Sequence, residues 1–189
     1  MIKKRLRIVA LLVVVVAGAG WVGWDRTHTA GVRNGQAFGT GEAYAKIGMT
    51  HIRKGDDVYY IAPAPSNYSD AKLTLQAINP EKSSPGLEYV DAKIYKRADF
   101  GDVVPINGGG QYNSLDSKLR SLPSQPVAGY GLDAGQLMDD VIYLHFRVAT
   151  DKRPLESSGV VIGYRQDGRN FTQVLAAVFQ LEDAASAGY

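Results

Sequence analysis

The sequence contains no cysteine and only three histidines among its 189 residues. The absence of Cys excludes disulfide scaffolds, thiolate zinc sites, catalytic thiols and lipid attachment through a lipobox cysteine. The histidines are His28, His51 and His145, and no two of them have the spacing of metal ligands on one strand or helix. We therefore expect ordinary surface histidines and no bound metal.

The common catalytic signatures are also missing, since the sequence has neither a G-x-S-x-G nucleophile elbow nor a P-loop. Residues 69–72 (SDAK) fit S-x-x-K, but the S-D-N and K-T-G partners of that motif are absent, and we expect a solvated loop. Residues 129–134 (GYGLDA) match a relaxed dinucleotide-binding string, yet the strand expected beyond Gly135 leaves no place for the phosphate-binding helix. We expect no catalytic residue, no cofactor and no enzymatic activity.

Two pairs of adjacent aspartates are the remaining candidates for site chemistry. The pairs are Asp56-Asp57 and Asp139-Asp140, both in predicted loops. Loop carboxylates at one end of a β-sandwich can bind Ca²⁺, and carboxylates that face each other across a cleft can cleave glycans. Because adjacent carboxylates usually diverge, we assign neither pair as a metal site or a catalytic site.

An uncharged run of seventeen residues follows a basic cluster at the N-terminus. The cluster consists of Lys3, Lys4, Arg5 and Arg7, and the run spans residues 8–24. As a helix the run would be about 25 Å long, close to the roughly 30 Å hydrocarbon core of a bilayer. Trp21 and Trp24 lie at its far end, where interfacial aromatic residues anchor a span. We predict a basic tail at 1–7 and a transmembrane anchor at 8–24, with these six residues at the membrane interface.

A cleaved secretory peptide is the second interpretation of this segment, because residues 17–19 (AGA) form a small-x-small cleavage site. Cleavage there would leave Trp21 and Trp24 exposed at the new N-terminus, which favours the uncleaved anchor. The basic residues before the run place the N-terminus in the cytoplasm and the remaining chain outside the cell. Ala19 and Gly23 form one small-xxx-small pair, so a homodimer through the span stays an open alternative.

The charge of the remaining chain argues against nucleic-acid binding. The first 24 residues contain four of the 21 basic residues and none of the 19 acidic ones, so the remainder carries a net charge of −2. A domain without a basic field does not attract a phosphate backbone. The expected partners are the lipid bilayer and a protein of the cell envelope.

Short apolar runs separated by turn residues predict a mainly β domain at 41–182, between a stalk at 25–40 and a disordered tail at 183–189. The predicted strands lie at 43–49, 57–61, 73–77, 87–97, 141–150, 160–165 and 171–181. Hairpin turns are expected at 53–56 and at 166–169, where Asp-Gly suits a type I′ turn. One short helix is expected at 114–122, and residues 108–110 (GGG) indicate a flexible connection.

The strand pattern indicates an antiparallel two-sheet sandwich, and a small barrel is the structural alternative. Alternation within residues 141–150 predicts one set of side chains in the core and the other set in solvent. The core set is Ile142, Leu144, Phe146 and Val148, and the solvent set is Val141, Tyr143, His145 and Arg147.

Residues 130–135 (YGLDAG), followed by a strand and by the hairpin after residues 159–168, resemble the closing strands of immunoglobulin-like domains. In layout, residues 40–182 resemble the membrane-anchored extracytoplasmic immunoglobulin-like β-sandwich proteins of unassigned function from high-GC Gram-positive bacteria. The resemblance implies such a sandwich behind one transmembrane helix and carries no catalytic motif. The inter-sheet cysteines and core tryptophan of antibody domains are missing here.

These features favour a single-pass cell-membrane protein whose extracellular sandwich binds a protein partner without catalysis. Strand addition at an exposed sheet edge is one binding mode that such a domain offers. The alternative is an envelope protein that binds or cleaves glycans with Asp139, Asp140 and nearby tyrosines.

Overall fold

Ten strands, one short α-helix and one 3₁₀ helix form the part of the chain that this computed structural model describes, residues 35–39, 46–110 and 114–182. The strands are β1 (Lys46–Met49), β2 (Asp57–Ile61), β3 (Leu73–Ser83), β4 (Leu87–Tyr95), β5 (Asn107–Gly109), β6 (Ser124–Pro126), β7 (Gly131–Leu132), β8 (Val141–Val148), β9 (Leu155–Gln166) and β10 (Arg169–Leu181). The 3₁₀ helix is Arg97–Phe100, and α1 is Leu115–Ser121. The prediction of a mainly β chain with one short helix before Pro123 is confirmed.

The predicted anchor and its six interface residues lie outside the described residues, as do residues 40–45 and the predicted tail at 183–189. Within the described ranges, no helix has the length and apolar character needed to cross a bilayer. Ala37 and Phe38, which fall in the predicted stalk, are buried against the domain. The last part of the predicted stalk therefore contributes to the core.

The strands form two five-stranded sheets. The first sheet has the order β1-β10-β9-β3-β7, and the second sheet has the order β5-β2-β8-β4-β6. All pairings are antiparallel except that of β1 with β10, in which Lys46 lies opposite Val178 in a parallel register. This parallel pair departs from the predicted antiparallel sandwich, because β1 runs in the same direction as β10 at the edge of the first sheet.

One apolar core lies between the two sheets. Tyr60 of β2 stacks on Phe179 of β10 with ring centroids 4.8 Å apart, and the Phe146 ring of β8 lies 6.4 Å from the same phenylalanine. All three rings are fully buried, and each such ring removes about 150–250 Å² from water. The predicted core set of β8 is confirmed, because its four side chains are fully buried.

The predicted turn between β9 and β10 is also confirmed. Gln166 pairs with Arg169, and the two residues between them, Asp167 and Gly168, have φ of 49° and 75°. A two-residue turn of type I′ needs positive φ at both positions, which Asp tolerates and Gly adopts freely.

The predicted hairpin at 53–56 is wrong. β1 joins the first sheet beside β10, and β2 joins the second sheet beside β8. Gly55 does bend the chain with φ of 94°, but its N–H donates to the carbonyl of Val148 at 2.7 Å. Gly55 therefore lies at a bend, as predicted. The strands before and after this bend pair with β10 and β8, which are distant in the sequence, and not with each other.

β3 runs past its predicted end at residue 77 and includes Pro80. Proline is tolerated there because, among the described residues, this part of β3 has a hydrogen-bonded neighbour on one side only. A bulge also changes the parity of β3, since Leu75 opposes Tyr164 while Ala77 opposes Gly163. Ile78 is consequently buried and Ala77 is exposed, whereas strict alternation after Leu73 and Leu75 would bury Ala77.

The predicted flexible connection at 108–110 is largely a strand. Gly108 and Gly109 belong to β5 and pair with Tyr59 and Val58 of β2. A Cβ on Gly109 would clash with the carbonyl oxygen of Asp57, so glycine allows the close approach of the two backbones.

The loops that join the strands meet at two ends of the domain. One end, named the entry end because residues 35–39 pack there, holds loops 62–72, 96–106 and 133–140 and the turn 166–169. At the opposite end β3 turns into β4 and β8 turns into β9.

We expect Phe179→Ala to lower the free energy of unfolding by about 3–5 kcal/mol, because it removes the ring that both sheets contact. Val174→Ala on the same strand is the control, since Val174 is 48% exposed and should change stability by less than about 0.5 kcal/mol. Urea denaturation measures both variants. A loss under about 1 kcal/mol for Phe179→Ala would contradict a shared core.

Candidate functional site

The chain between β4 and β8 covers the outer face of the second sheet. α1 turns Leu115 and Leu119, four residues apart, onto this face, and both are buried. They belong to a second apolar cluster with Tyr59, Tyr95, Phe100, Val141 and Tyr143. The prediction that Val141 and Tyr143 face solvent is therefore wrong, because the beginning of β8 is covered on both faces.

Tyr59 and Asp116 join α1 to the sheet. The Tyr59 hydroxyl donates to Asp116 Oδ1 at 2.7 Å, and Arg120 Nε donates to the same oxygen at 2.9 Å. Partial burial acts to raise the pKa of Asp116, but these two hydrogen bonds and the Arg120 charge outweigh it and lower the pKa below 3.8. Burial first, and then the hydrogen bond to Asp116, raise the pKa of Tyr59. The bond between neutral phenol and ionised carboxylate is therefore charge-assisted at neutral pH.

His145 lies at the centre of a polar ladder across β2, β8 and β4. Its ring stacks on Tyr59 with centroids 4.5 Å apart and planes inclined by 15°. Nε2 lies 3.1 Å from Asp57 Oδ1, without hydrogen-bond alignment, and Nδ1 lies 3.4 Å from Asp91 Oδ1. Arg147 donates to both oxygens of Asp57 at 3.0 and 3.1 Å. The prediction of a surface histidine is wrong here, since only 15% of the His145 side chain is exposed.

A groove with a volume of about 360 Å³ lies beside the ladder. Its size falls within the range of small-ligand sites, about 300–1,000 Å³. The helix side contributes Leu119, Arg120 and Leu122, the strand side contributes Val90, Asp91, Lys93 and Ser124, and the sheet contributes Tyr59, Tyr95, Tyr143 and His145.

The groove exposes cationic, acidic, polar and apolar groups, since Ser124 is exposed and the Asp91 side chain is 41% exposed. Lys93 and Arg120 stand on opposite sides with 50% and 68% of their side chains exposed. Val90 is 48% exposed because it is the extra residue of a bulge between Tyr89 and Asp91 of β4. The tyrosine rings of the groove are buried, so they present no open face on which a sugar ring could stack.

The two acidic pairs of the sequence separate in the structure. Asp57 belongs to the polar ladder, whereas Asp56 accepts a backbone N–H of the preceding turn at 2.8 Å. Asp140 accepts the Tyr130 hydroxyl at 2.9 Å, and burial together with this bond raises the pKa of Tyr130 to about 12. Neither Asp139 nor Asp140 lines the groove. No set of three or more potential ligand side chains is grouped around a metal position in the described part of the chain.

Ser69 of the S-x-x-K string is buried and holds a loop in place. Its hydroxyl donates to Asn67 Oδ1 and accepts from Gln166 Nε2 at 2.6 Å. Lys72 extends elsewhere, with Nζ 2.9 Å from Asp133 Oδ1. Because a buried polar group is costly without partners, this network fixes loop 62–72 against β9. The expected solvated loop is wrong at Ser69, which does not meet the lysine of its motif.

The remaining sequence candidates do not enter the groove. His51 is exposed, as predicted, and its Nδ1 lies 2.8 Å from Thr50 Oγ1, while His28 is outside the described residues. Asp116 and Arg120 were detectable as an i, i+4 pair on the predicted helix. Tyr59 and its stacking on His145 had no comparable signal, because their contact depends on the register of β2 against β8.

Comparison with known proteins does not identify a family. The sequence matches no protein-family model, and it has no significant similarity to a curated protein. The chemistry of the groove is therefore the basis for assigning a function.

Tyr59→Phe should lower the free energy of unfolding by about 1–2 kcal/mol, because it removes a hydrogen bond to a carboxylate. It should also move the pKa of Asp116 up toward 3.8. A carboxyl pKa that is lowered in the folded state contributes stability above pH 3.8, and this contribution is lost as pH falls through the folded pKa. Because the variant lacks part of this contribution, it should lose less stability in acid than the wild type. Carboxyl NMR titration and urea denaturation test this, with exposed Tyr68→Phe as control. An unchanged Asp116 pKa would contradict the docking role.

Alkaline pH should unfold the domain through its buried tyrosines. Burial raises the pKa of Tyr89 to about 12 and raises the pKa values of Tyr60 and Tyr143 as well. A raised tyrosine pKa contributes stability that is complete below the ordinary value of 10.0 and is lost as pH rises through the folded value. We expect phenolate absorbance and circular dichroism to change together above pH 10. Ionisation of these tyrosines without unfolding would contradict their burial.

Proposed function

We propose that the protein is a non-enzymatic, membrane-anchored module of the cell envelope whose groove beside α1 binds a protein partner. Residues 8–24 form the anchor in this proposal, with the basic tail in the cytoplasm and the β domain outside the cell. The observation that carries the binding proposal is the groove itself, with exposed Lys93 and Arg120 on opposite sides and exposed Val90 between polar neighbours.

We further propose that the domain is an immunoglobulin-like sandwich. The strand orders β2-β8-β4 and β10-β9-β3 support this, since they correspond to strands B-E-D and G-F-C of that fold. On this assignment residues 96–140 are an insertion between strands D and E. The insertion supplies α1, β5, β6 and β7, and therefore the helix side of the groove.

The partner surface that suits the groove carries an acidic group flanked by an apolar one. An acidic side chain placed between Lys93 and Arg120 would add to the ion pairs that these cations already make, with Asp91 at 3.5 Å and with Asp116 at 2.9 Å. An apolar side chain would cover Val90, whose exposed position on a bulge otherwise leaves it in water.

The contacts around the groove support binding more than catalysis. The Tyr59 hydroxyl donates to Asp116, and the Tyr59 ring stacks on the His145 ring. The hydroxyl is therefore not placed to be activated as a nucleophile by the imidazole. Asp57 is held by Arg147 in a two-point contact. These groups form a closed network that shapes the site.

Glycan binding is the second candidate and has less support. Asp139 and Asp140, on which it was based, do not line the groove. The groove tyrosines are buried and, among the described residues, Asp91 is the one carboxylate that lines the groove, so the described lining does not contain the pair of facing acids needed for glycan cleavage.

The full-length chain is extracted from membranes in mild detergent and used as bait. Val90→Asp should then reduce recovery of the partner by at least about tenfold, which corresponds to a loss of about 1.4 kcal/mol in binding free energy. It replaces an apolar contact by a charge that repels an acidic partner. Val174→Asp is the matched control, because Val174 is also 48% exposed and lies on the first sheet.

Quantitative mass spectrometry of cross-linked complexes provides the measurement. Equal recovery with both variants would place the partner site elsewhere, and repeated recovery of the bare chain without a stoichiometric protein would contradict partner binding. Binding of cell-wall glycans that is lost in Val90→Asp but kept in Val174→Asp would favour the second candidate.

A further inference from the structure

Exposed apolar side chains concentrate at the entry end. Of the six large apolar residues that are most exposed in the described part of the chain, four lie in the loops of this end. They are Tyr68 at 60%, Val103 at 72%, Ile106 at 59% and Leu137 at 66% exposure. Side chains of this size scattered singly need no explanation, but a group at one end of a domain indicates an interaction surface.

Three separate loops bring these side chains to the same end. Tyr68 and Leu137 lie on adjacent segments, since the Asn67 N–H donates to the carbonyl of Gln136 at 2.8 Å. Ile106 is held beside the end of β2, where its carbonyl accepts the Ile61 N–H at 2.9 Å. Hydrogen bonds between backbones therefore hold the loops in position, and the surface does not depend on a single mobile segment.

The N-terminal part of the chain arrives at this surface. The carbonyl of Ala37 accepts the Tyr68 N–H at 2.8 Å, and the Ala37 N–H donates to the Tyr164 hydroxyl at 3.2 Å. Ten residues separate Trp24 from Gly35 in the sequence, and they span at most about 35 Å when fully extended. A bilayer that holds residues 8–24 is therefore within one tether length of the entry end.

We propose that the entry end docks on the bilayer surface, with these four apolar side chains among the lipid headgroups. This inference rests on the proposed anchor and adds an orientation, in which the entry end faces the membrane and the opposite end faces outward. The tether keeps the membrane at a high effective concentration, so a modest apolar contact is sufficient. Tyrosine suits this position because its ring is apolar and its hydroxyl is polar.

Docking at this end is apolar rather than electrostatic. The loops 62–72, 96–106 and 133–140 and the turn 166–169 contain seven aspartates against four lysines and arginines. Such a surface gains nothing from anionic headgroups, in contrast to basic peripheral domains. Docking should consequently not strengthen as the fraction of anionic lipid rises, and added salt should not release it.

The lack of cysteine allows a direct test with single spin labels. The full-length chain is reconstituted into phosphatidylcholine vesicles, with or without phosphatidylglycerol, as the variants Leu137→Cys, Ile106→Cys and Val174→Cys. Collision of the label with oxygen and with a nickel chelate reports depth in lipid. We expect several-fold higher relative oxygen accessibility at positions 137 and 106 than at 174, which lies midway along β10 and is the exposed control. Circular dichroism checks that each labelled variant is folded.

The outcomes separate this proposal from the proposed anchor. If the chain fails to float with vesicles, the anchor is wrong; if it floats and all three labels stay aqueous, docking is overturned while the anchor stands. Spin–spin broadening at 137 and 106 would instead assign the surface to a second copy. Shielding that appears only in native membranes would assign it to a protein partner, and both results overturn lipid docking.

Discussion

The fold depends on burial of the second sheet from both sides. Its inner face packs Tyr60 and Phe146 against Phe179 of the first sheet, while its outer face carries Tyr59 and Tyr143 under α1. Without that cover the outer rings would be in water, so Phe100 and α1 contribute to the stability of the domain. The hydrogen bond from Tyr59 to Asp116 then fixes how the helix lies on the sheet.

The groove lies where this cover stops. Beyond the edge of α1 the outer face changes from aromatic to polar, and His145, which stacks on Tyr59, directs its two ring nitrogens at Asp57 and Asp91. Half-buried charges need partners, and cross-strand pairing provides them at fixed positions. The charged groups of the groove are already held by one another, so the site changes little on binding and loses little conformational entropy. This order favours binding of a partner.

The segment between β4 and β8 has two roles in the proposals. It builds the helix side of the groove, and its loops at 96–106 and 133–140 present Val103, Ile106 and Leu137 at the entry end. With that end on the bilayer, the domain would be held in one orientation and the groove would lie along its side. A partner in the same membrane would then approach laterally.

The sequence by itself determined the features that depend on residues close to one another along the chain. The type I′ turn at 166–169, the helix before Pro123 and the inner face of β8 follow from local backbone preference and alternation. Only the tertiary structure decided that β1 pairs with β10, that bulges change the parity of β3 and expose Val90, and that His145 stacks on Tyr59. The physical reason is that every strand offers the same backbone donors and acceptors, so its partner and register are chosen by packing across the whole domain.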